Sequence, residues 1–199
     1  MLIKPNNNNE MNYFVDSDFA GNYSVYPDQD PTSTKSRTGY VILYQGCPIL
    51  WVSKMQTRCT LSTTESEYLA LSQSMRDLIP LREILKEINE IVFKQEKLTP
   101  RCSTNSKSFS DIISNESENS IPKSKVYEDN AACLKFARLP RLTPRTKHIT
   151  IPYHWFRSKV EQIEIIIKPI NSKKQLADQF TNSLTMDKFQ QARKDLMGW

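Results

Sequence analysis

The chain has 199 residues, a net charge of +5, a pI near 9.0 and a mean hydropathy of -0.55. That length suffices for one full domain with its own core but hardly for two, and the basic balance favours a polyanionic partner. No run of about 18 apolar residues occurs, which excludes a membrane-spanning helix.

The amino terminus, Met1-Leu2-Ile3-Lys4 before four asparagines, lacks the apolar centre of a signal peptide, so residues 1–11 are expected to be a flexible lead-in. The four cysteines, Cys47, Cys59, Cys102 and Cys133, are far apart and form no CxxC pair. They suit unbridged thiols in a reducing compartment better than a zinc site or a disulfide framework.

The ordered domain is expected from Asn12. Tyr13 to Asp16 reads as a strand that ends on a carboxylate, and residues 21–38, with Pro27 and Pro31, read as an exposed loop. Gly39 to Tyr44 and Ile49 to Ser53 are two strands joined by Gln45-Gly46-Cys47-Pro48, a hairpin-like connection. Tyr40 to Leu43 is continuously apolar, as in a strand covered on both faces.

From Ser62 the period changes. Leu71, Met75, Leu78, Leu85 and Ile88 fall on one helical face, and Ser62 or Thr63 can cap the helix with Glu65 or Ser66 as the reciprocal partner. Pro80 should kink or split this helix. Residues 94–125 are serine-rich and poor in large apolar side chains, and are expected to form a disordered insertion within the single domain 12–199.

A strand at Lys125 to Glu128 follows, then a helix from Asn130 to about Arg138, a basic loop from Leu139 to Lys147 and a helix around Tyr153 to Gln162. Ile163 to Ile167 is a β-branched strand, and the chain from Lys173 reads as helical. This order predicts an α/β fold, and its first and fourth strands become neighbours in a mixed sheet if their aspartates meet.

Four carboxylates adjoin apolar runs: Asp16 in Phe14-Val15-Asp16-Ser17-Asp18, Glu67 in Thr64-Glu65-Ser66-Glu67-Tyr68, Asp129 in Val126-Tyr127-Glu128-Asp129-Asn130, and Asp178 in Gln175-Leu176-Ala177-Asp178-Gln179. Carboxylates near buried sequence are costly unless paired or bound to metal, so four of them point to a divalent-metal centre and phosphodiester hydrolysis. Asp18 competes with Asp16 and Glu65 with Glu67, although Glu65 suits a helix-terminal role. Glu128 could instead pair with a basic surface, and Asp178 could be a dipole-favoured residue in the first turn of a helix.

The ordered motifs carry a resemblance. Val15-Asp16-Ser17-Asp18-Phe19-Ala20-Gly21, Ser36-Arg37-Thr38-Gly39-Tyr40-Val41, Trp51-Val52-Ser53-Lys54-Met55-Gln56 and Leu61-Ser62-Thr63-Thr64-Glu65-Ser66-Glu67-Tyr68 come first. Glu128-Asp129-Asn130, Arg145-Thr146-Lys147-His148-Ile149, Tyr153-His154 and Gln175-Leu176-Ala177-Asp178 follow. The set resembles the ribonuclease H domain of copia-type LTR retrotransposon Pol polyproteins, from about Tyr13 to Leu184 apart from the serine-rich insertion.

The resemblance implies a ribonuclease H-like mixed five-stranded sheet flanked by helices. It also implies hydrolysis of the RNA strand of RNA:DNA hybrids during reverse transcription. Asp16, Glu67, Asp129 and Asp178 would be the catalytic residues and the ligands of two Mg2+ ions, with Mn2+ an alternative. The implied partners are the hybrid and the reverse transcriptase region of the same polyprotein, and the implied setting is intracellular, in the cytoplasmic particle or the nucleus.

Residues 131–174 hold ten Lys and Arg against two Glu, and Arg141, Arg145, Lys147 and His148 are the candidate nucleic-acid contacts. His148 suits a structural role as well as a phosphate contact, His154 suits packing, and Trp51 and Trp155 read first as core residues. A degenerate Pol module that binds nucleic acid or scaffolds without cutting is the non-enzyme alternative. An integrase-like strand transferase fits less well, because Glu67 lies between the first two aspartates.

Overall fold

The computed structural model describes residues 5–6, 10–21, 23, 34–98, 124–138, 154–162 and 165–198. The chain divides into two compact units: residues 1–75 with 123–199, and residues 76–122.

The first unit is built on a five-stranded sheet. Its strands are β1 (Met11–Ser17), β2 (Arg37–Tyr44), β3 (Cys47–Met55), β4 (Ser124–Glu128) and β5 (Ile165–Pro169), in the order β3-β2-β1-β4-β5. β1 pairs antiparallel with β2, which pairs antiparallel with β3, whereas β1–β4 and β4–β5 are parallel. The first and fourth strands are therefore neighbours in a mixed sheet, as the meeting of their aspartates requires.

Alternation along the strands sets the core. Met11, Tyr13 and Val15 are buried on β1, Val126 on β4, and Ile165 and Ile167 on β5. Tyr40 to Leu43 are all buried, in keeping with their continuous apolar run. β2 and β3 form a hairpin whose turn places Gln45 and Gly46 at φ 52° and 78°, the left-handed pair that a two-residue connection needs.

Helix α1 spans Thr63–Leu98. Its start is capped as expected: the Ser62 hydroxyl accepts from Glu65 N–H at 3.1 Å, and Glu65 Oε2 accepts from Leu61 N–H at 2.8 Å. Within the first unit Tyr68, Leu71 and Met75 are wholly buried, and the Tyr68 ring lies 6.1 Å from Phe136 and 6.0 Å from Phe156. Burying each such side chain contributes about 1.5–3 kcal/mol.

Helices α2 (Ala131–Arg138), α3 (Arg157–Glu161) and α4 (Met186–Met197) complete the described structure. Asn130 caps α2, its Oδ1 accepting from Ala132 and Cys133 N–H at 2.9 and 3.0 Å.

Several expectations are corrected. α1 is not split at Pro80 and continues to Leu98, past residue 94 where the insertion was expected to begin. Pro80 and Arg76 are both exposed, so water can reach the Arg76 carbonyl that loses its i+4 donor. The chain after Lys173 is not one helix. It forms 3-10 turns at Ser172–Lys174 and Asp178–Phe180 before α4; between them Gln175 has an extended backbone, φ -73° and ψ 103°, and its side-chain amide donates to the Val15 carbonyl at 2.8 Å.

Trp51 and Trp155 are not core residues; they are 56% and 44% exposed. Trp51 lies on edge strand β3, where alternate residues face outward, and Trp155 turns its indole N–H to Ser72 Oγ at 3.1 Å while neighbouring Phe156 is buried. The side chain of His154, residues 99–123 of the expected insertion and the basic loop with Arg141, Arg145, Lys147 and His148 lie outside the described residues, while Ser124 and Lys125, the insertion's expected end, belong to β4.

Replacing Pro80 with alanine should restore the missing hydrogen bond and stabilise the helix by up to about 3 kcal/mol, less the entropy that proline removes from the unfolded chain, and so raise the melting temperature. Thermal melts followed by circular dichroism test this. A melt that is unchanged or lower would show that the helix gains nothing from the restored bond.

Candidate metal centre

Asp16 stands near the end of central strand β1, paired across the sheet with Gly39 of β2. Glu67 stands in the first turns of α1, and Asp129 directly follows β4. Each of the three places a carboxylate oxygen within 4.8 Å of the others. Three separate elements thus bring together three of the four expected carboxylates.

The neighbouring acids have other tasks. The Asp18 carboxylate accepts from the Arg37 backbone N–H, while Asp18 N–H donates to the Arg37 carbonyl at 3.1 Å, so it fastens the loop after β1. Glu65 is spent on the helix cap. Glu128 does not pair with a basic surface: it shares the inward side of β4 with Val126, is wholly buried, and accepts from Asn130 N–H at 3.1 Å through Oε1.

Asp178 begins the 3-10 turn Asp178–Phe180, so it does not occupy the first turn of an α-helix. It is outside the converging trio but close enough for its charge to raise the Asp16 carboxyl. Its Oδ1 accepts from the Asn182 amide at 2.8 Å.

A polar network holds the site from behind. Gln56 Nε2 lies 3.1 Å from both Ser17 Oγ and Thr38 Oγ1 and 3.0 Å from the Ser66 carbonyl, and the Ser17 and Ser66 hydroxyls are 2.7 Å apart. This links β1 and β2 to the residue preceding Glu67. Gln56 was visible only as a letter in a longer motif. Thr181, whose hydroxyl donates to Asp16 Oδ2, had no sequence signal at all.

Electrostatics make the cluster costly without a counter-charge. Burial pushes the Asp16 pKa up to about 6, with Asp129 and Asp178 adding to the effect and the Thr181 hydroxyl opposing it. Glu67 is raised well above the ordinary glutamate range, first by burial and then by Glu128, Asp16 and Asp129. Glu128 is raised in the same way by burial, against the Asn130 N–H.

The donor set fits a hard divalent cation. The converging donors are carboxylate oxygens, and Glu67 Oε2 is buried with no hydrogen-bond partner. Magnesium and manganese accept such ligands, whereas softer ions favour His and Cys.

No family model matches. The chain is 28% identical over 185 residues, 93% of its length, to the retrovirus-related Pol polyprotein from transposon TNT 1-94 of Nicotiana tabacum. It is 23% identical over 190 residues, 96% of its length, to that from transposon RE1 of Arabidopsis thaliana.

The chain is homologous to retrotransposon Pol polyproteins. It spans about a tenth of their length, 11% and 10% respectively. Among solved structures, a ribonuclease H1 isolated from compost is similar with a TM-score of 0.48 at 15% identity, covering 87% of this chain and 94% of that one. No helix among the described residues is long and apolar enough to cross a membrane.

The raised carboxyls set the pH dependence of the metal-free protein. Asp16 titrates near 6 when folded against 3.8 as its ordinary value, so the folded state favours the proton. The resulting stability is fully present below about pH 4 and is lost as pH rises through 6, worth about 3 kcal/mol for Asp16 alone. In EDTA, the melting temperature should rise from pH 7.5 to pH 5, and Asp16→Asn should melt higher than the parent at pH 7.5 and rise less. Thermal melts across that range check this, and a flat parent profile would refute it.

Proposed function

We propose that this chain is a metal-dependent endonuclease that hydrolyses the RNA strand of RNA:DNA hybrids, acting during reverse transcription of a retrotransposon. The observation that carries the reading is the convergence of Asp16, Glu67 and Asp129 within 4.8 Å from three different elements. Homology to Pol polyproteins across nearly the whole chain supports it. The mixed sheet with flanking helices is the architecture that the ribonuclease H resemblance implies.

In this reading Asp16, Glu67 and Asp129 hold divalent cations, with Asp178 as a further ligand. Bound Mg2+ or Mn2+ would supply a water of lowered pKa and charge stabilisation for in-line phosphodiester hydrolysis. The rigid β1 and β4 ends fix Asp16 and Asp129, and the capped start of α1 fixes Glu67, so the acids need little reorganisation when charge develops. Burial raises the Glu128 carboxyl well above the ordinary glutamate range, which favours its neutral form beside the cluster.

The basic stretch with Arg141, Arg145, Lys147 and His148 is assigned to the phosphate backbone of the hybrid, and Lys173 and Lys174, exposed at the 3-10 turn Ser172–Lys174, would add to it. Hybrid recognition would rest on 2′-hydroxyls and groove shape with little reading of base edges. The reverse transcriptase region of the same polyprotein is the proposed partner, and the inside of the cell, in the particle or the nucleus, the proposed setting.

Cleavage of a labelled RNA:DNA hybrid with Mg2+ tests the reading. The parent should cut the RNA strand, and Asp129→Asn should lose on the order of 100-fold or more in rate while still binding hybrid. Binding without cleavage by the parent, including when it is joined to its reverse transcriptase region, would replace the nuclease with a binding module.

A further inference from the structure

Asp178 stands outside the converging trio, yet hydrogen bonds join it to Asp16. The Asn182 amide donates to Asp178 Oδ1 at 2.8 Å and to Thr181 Oγ1 at 3.2 Å. The Thr181 hydroxyl faces two acceptors, Asp16 Oδ2 and, at 3.1 Å, the Asp178 carbonyl. One hydroxyl has one proton to give. Asp16 Oδ2 is the nearer acceptor and the one that carries charge when ionised, so it takes the proton's hydrogen bond.

The hydroxyl is held from both sides. Thr181 is buried, and its methyl packs where Gly39, opposite Asp16 in the sheet, lacks a Cβ. A Cβ on Gly39 would lie 2.6 Å from Thr181 Cγ2 and 2.8 Å from Phe180 Cβ. The Ser53 hydroxyl donates to the Phe180 carbonyl at 2.6 Å, and the Asp178 carbonyl accepts from Asn182 N–H at 2.9 Å. The turn is thus docked on β2 and β3, with the hydroxyl aimed at β1.

We infer that Thr181 and Asn182 are positioning residues of the metal centre: Thr181 fixes which Asp16 oxygen is committed to the protein and which is left for a cation, and Asn182 ties Asp178 to the same network. The inference rests on the metal reading above. Hydrogen bonds to ligating carboxylates set ligand orientation and basicity, so their loss lowers metal affinity without removing a ligand.

Two substitutions at Thr181 separate hydroxyl from packing. Thr181→Val keeps a methyl against Gly39 and removes the donor; Thr181→Ser keeps the donor and removes the methyl. Mn2+ binding is measured by calorimetry and electron paramagnetic resonance at pH 7.5, with circular dichroism confirming the fold. Thr181→Val should weaken the tighter Mn2+ event about 10- to 100-fold, and Thr181→Ser should restore most of it. Asn182→Ala, at an exposed position, should weaken the second event and spare the first.

Equal binding by Thr181→Val and the parent, or equal loss in Val and Ser, overturns the inference and leaves the metal reading standing. Should Thr181→Val not fold, Asn182→Ala decides: an unchanged second event overturns the inference. A parent that binds no Mn2+ overturns the metal reading itself, and the inference with it.

Discussion

Mutual repulsion among converging carboxylates is the constraint on which the rest of the structure depends. Two unit charges at 4.8 Å repel by about 3–4 kcal/mol at an effective dielectric of about 20, and Asp16, Glu67 and Asp129 lie within that distance of one another. No local segment could hold them together. They are placed by β1, α1 and β4, whose positions are fixed elsewhere by apolar packing of Tyr13, Val15, Val126, Tyr68, Leu71 and Met75. The core lies to one side of the site and supplies the energy that the site costs.

Packing alone does not fix oxygen atoms to a few tenths of an ångström, and the polar layer beneath the acids does that work. Gln56 reaches Ser17, Thr38 and the Ser66 carbonyl at once, so the end of β1, its neighbour on β2 and the turn of α1 preceding Glu67 share one donor. The network is satisfied through Gln56 Nε2, while Gln56 Oε1 is buried with no hydrogen-bond partner among the described residues. Its members sit at strand ends, where ladder hydrogen bonds run out and side chains must take over.

What was legible in the sequence follows from the range of the physics involved. Period-2 and period-3.6 patterning act locally, so β1, β2, β4 and the start of α1 could be read directly, and the Ser62–Glu65 cap was foreseen within one residue. Asp16, Glu67 and Asp129 could be nominated because each adjoins an apolar run. Long-range contacts were not legible. Trp51 is apolar and on a strand but lies on edge strand β3, where it is half-exposed beside Phe180 and Phe189. Pro80 is tolerated because of which side of α1 it occupies, and Gln175, extended in its backbone, sends its side-chain amide to Val15, 160 residues away. Glu128 and Asp129 are adjacent letters with opposite fates, separated by the one-residue step that turns a strand from core to site.

The fourth carboxylate belongs to a different mechanical class from the other three. Asp16 is held by a strand paired on both sides, and Glu67 by a capped helix that continues for many turns. Asp178 starts a single 3-10 turn, and its place depends on Gly39 lacking a side chain, on Ser53 holding the Phe180 carbonyl, and on Asn182 holding its oxygen. Each of those bonds can be broken without disturbing the sheet, so the cost of displacing Asp178 is local, whereas displacing Asp16 would cost the core. In the proposed centre, three acids held by the sheet and α1 and one locally tethered acid would keep a binding geometry constant on one side while adjusting the other, and Thr181, hydrogen-bonded to Asp16 and next to the Asp178 turn, is where the two parts meet.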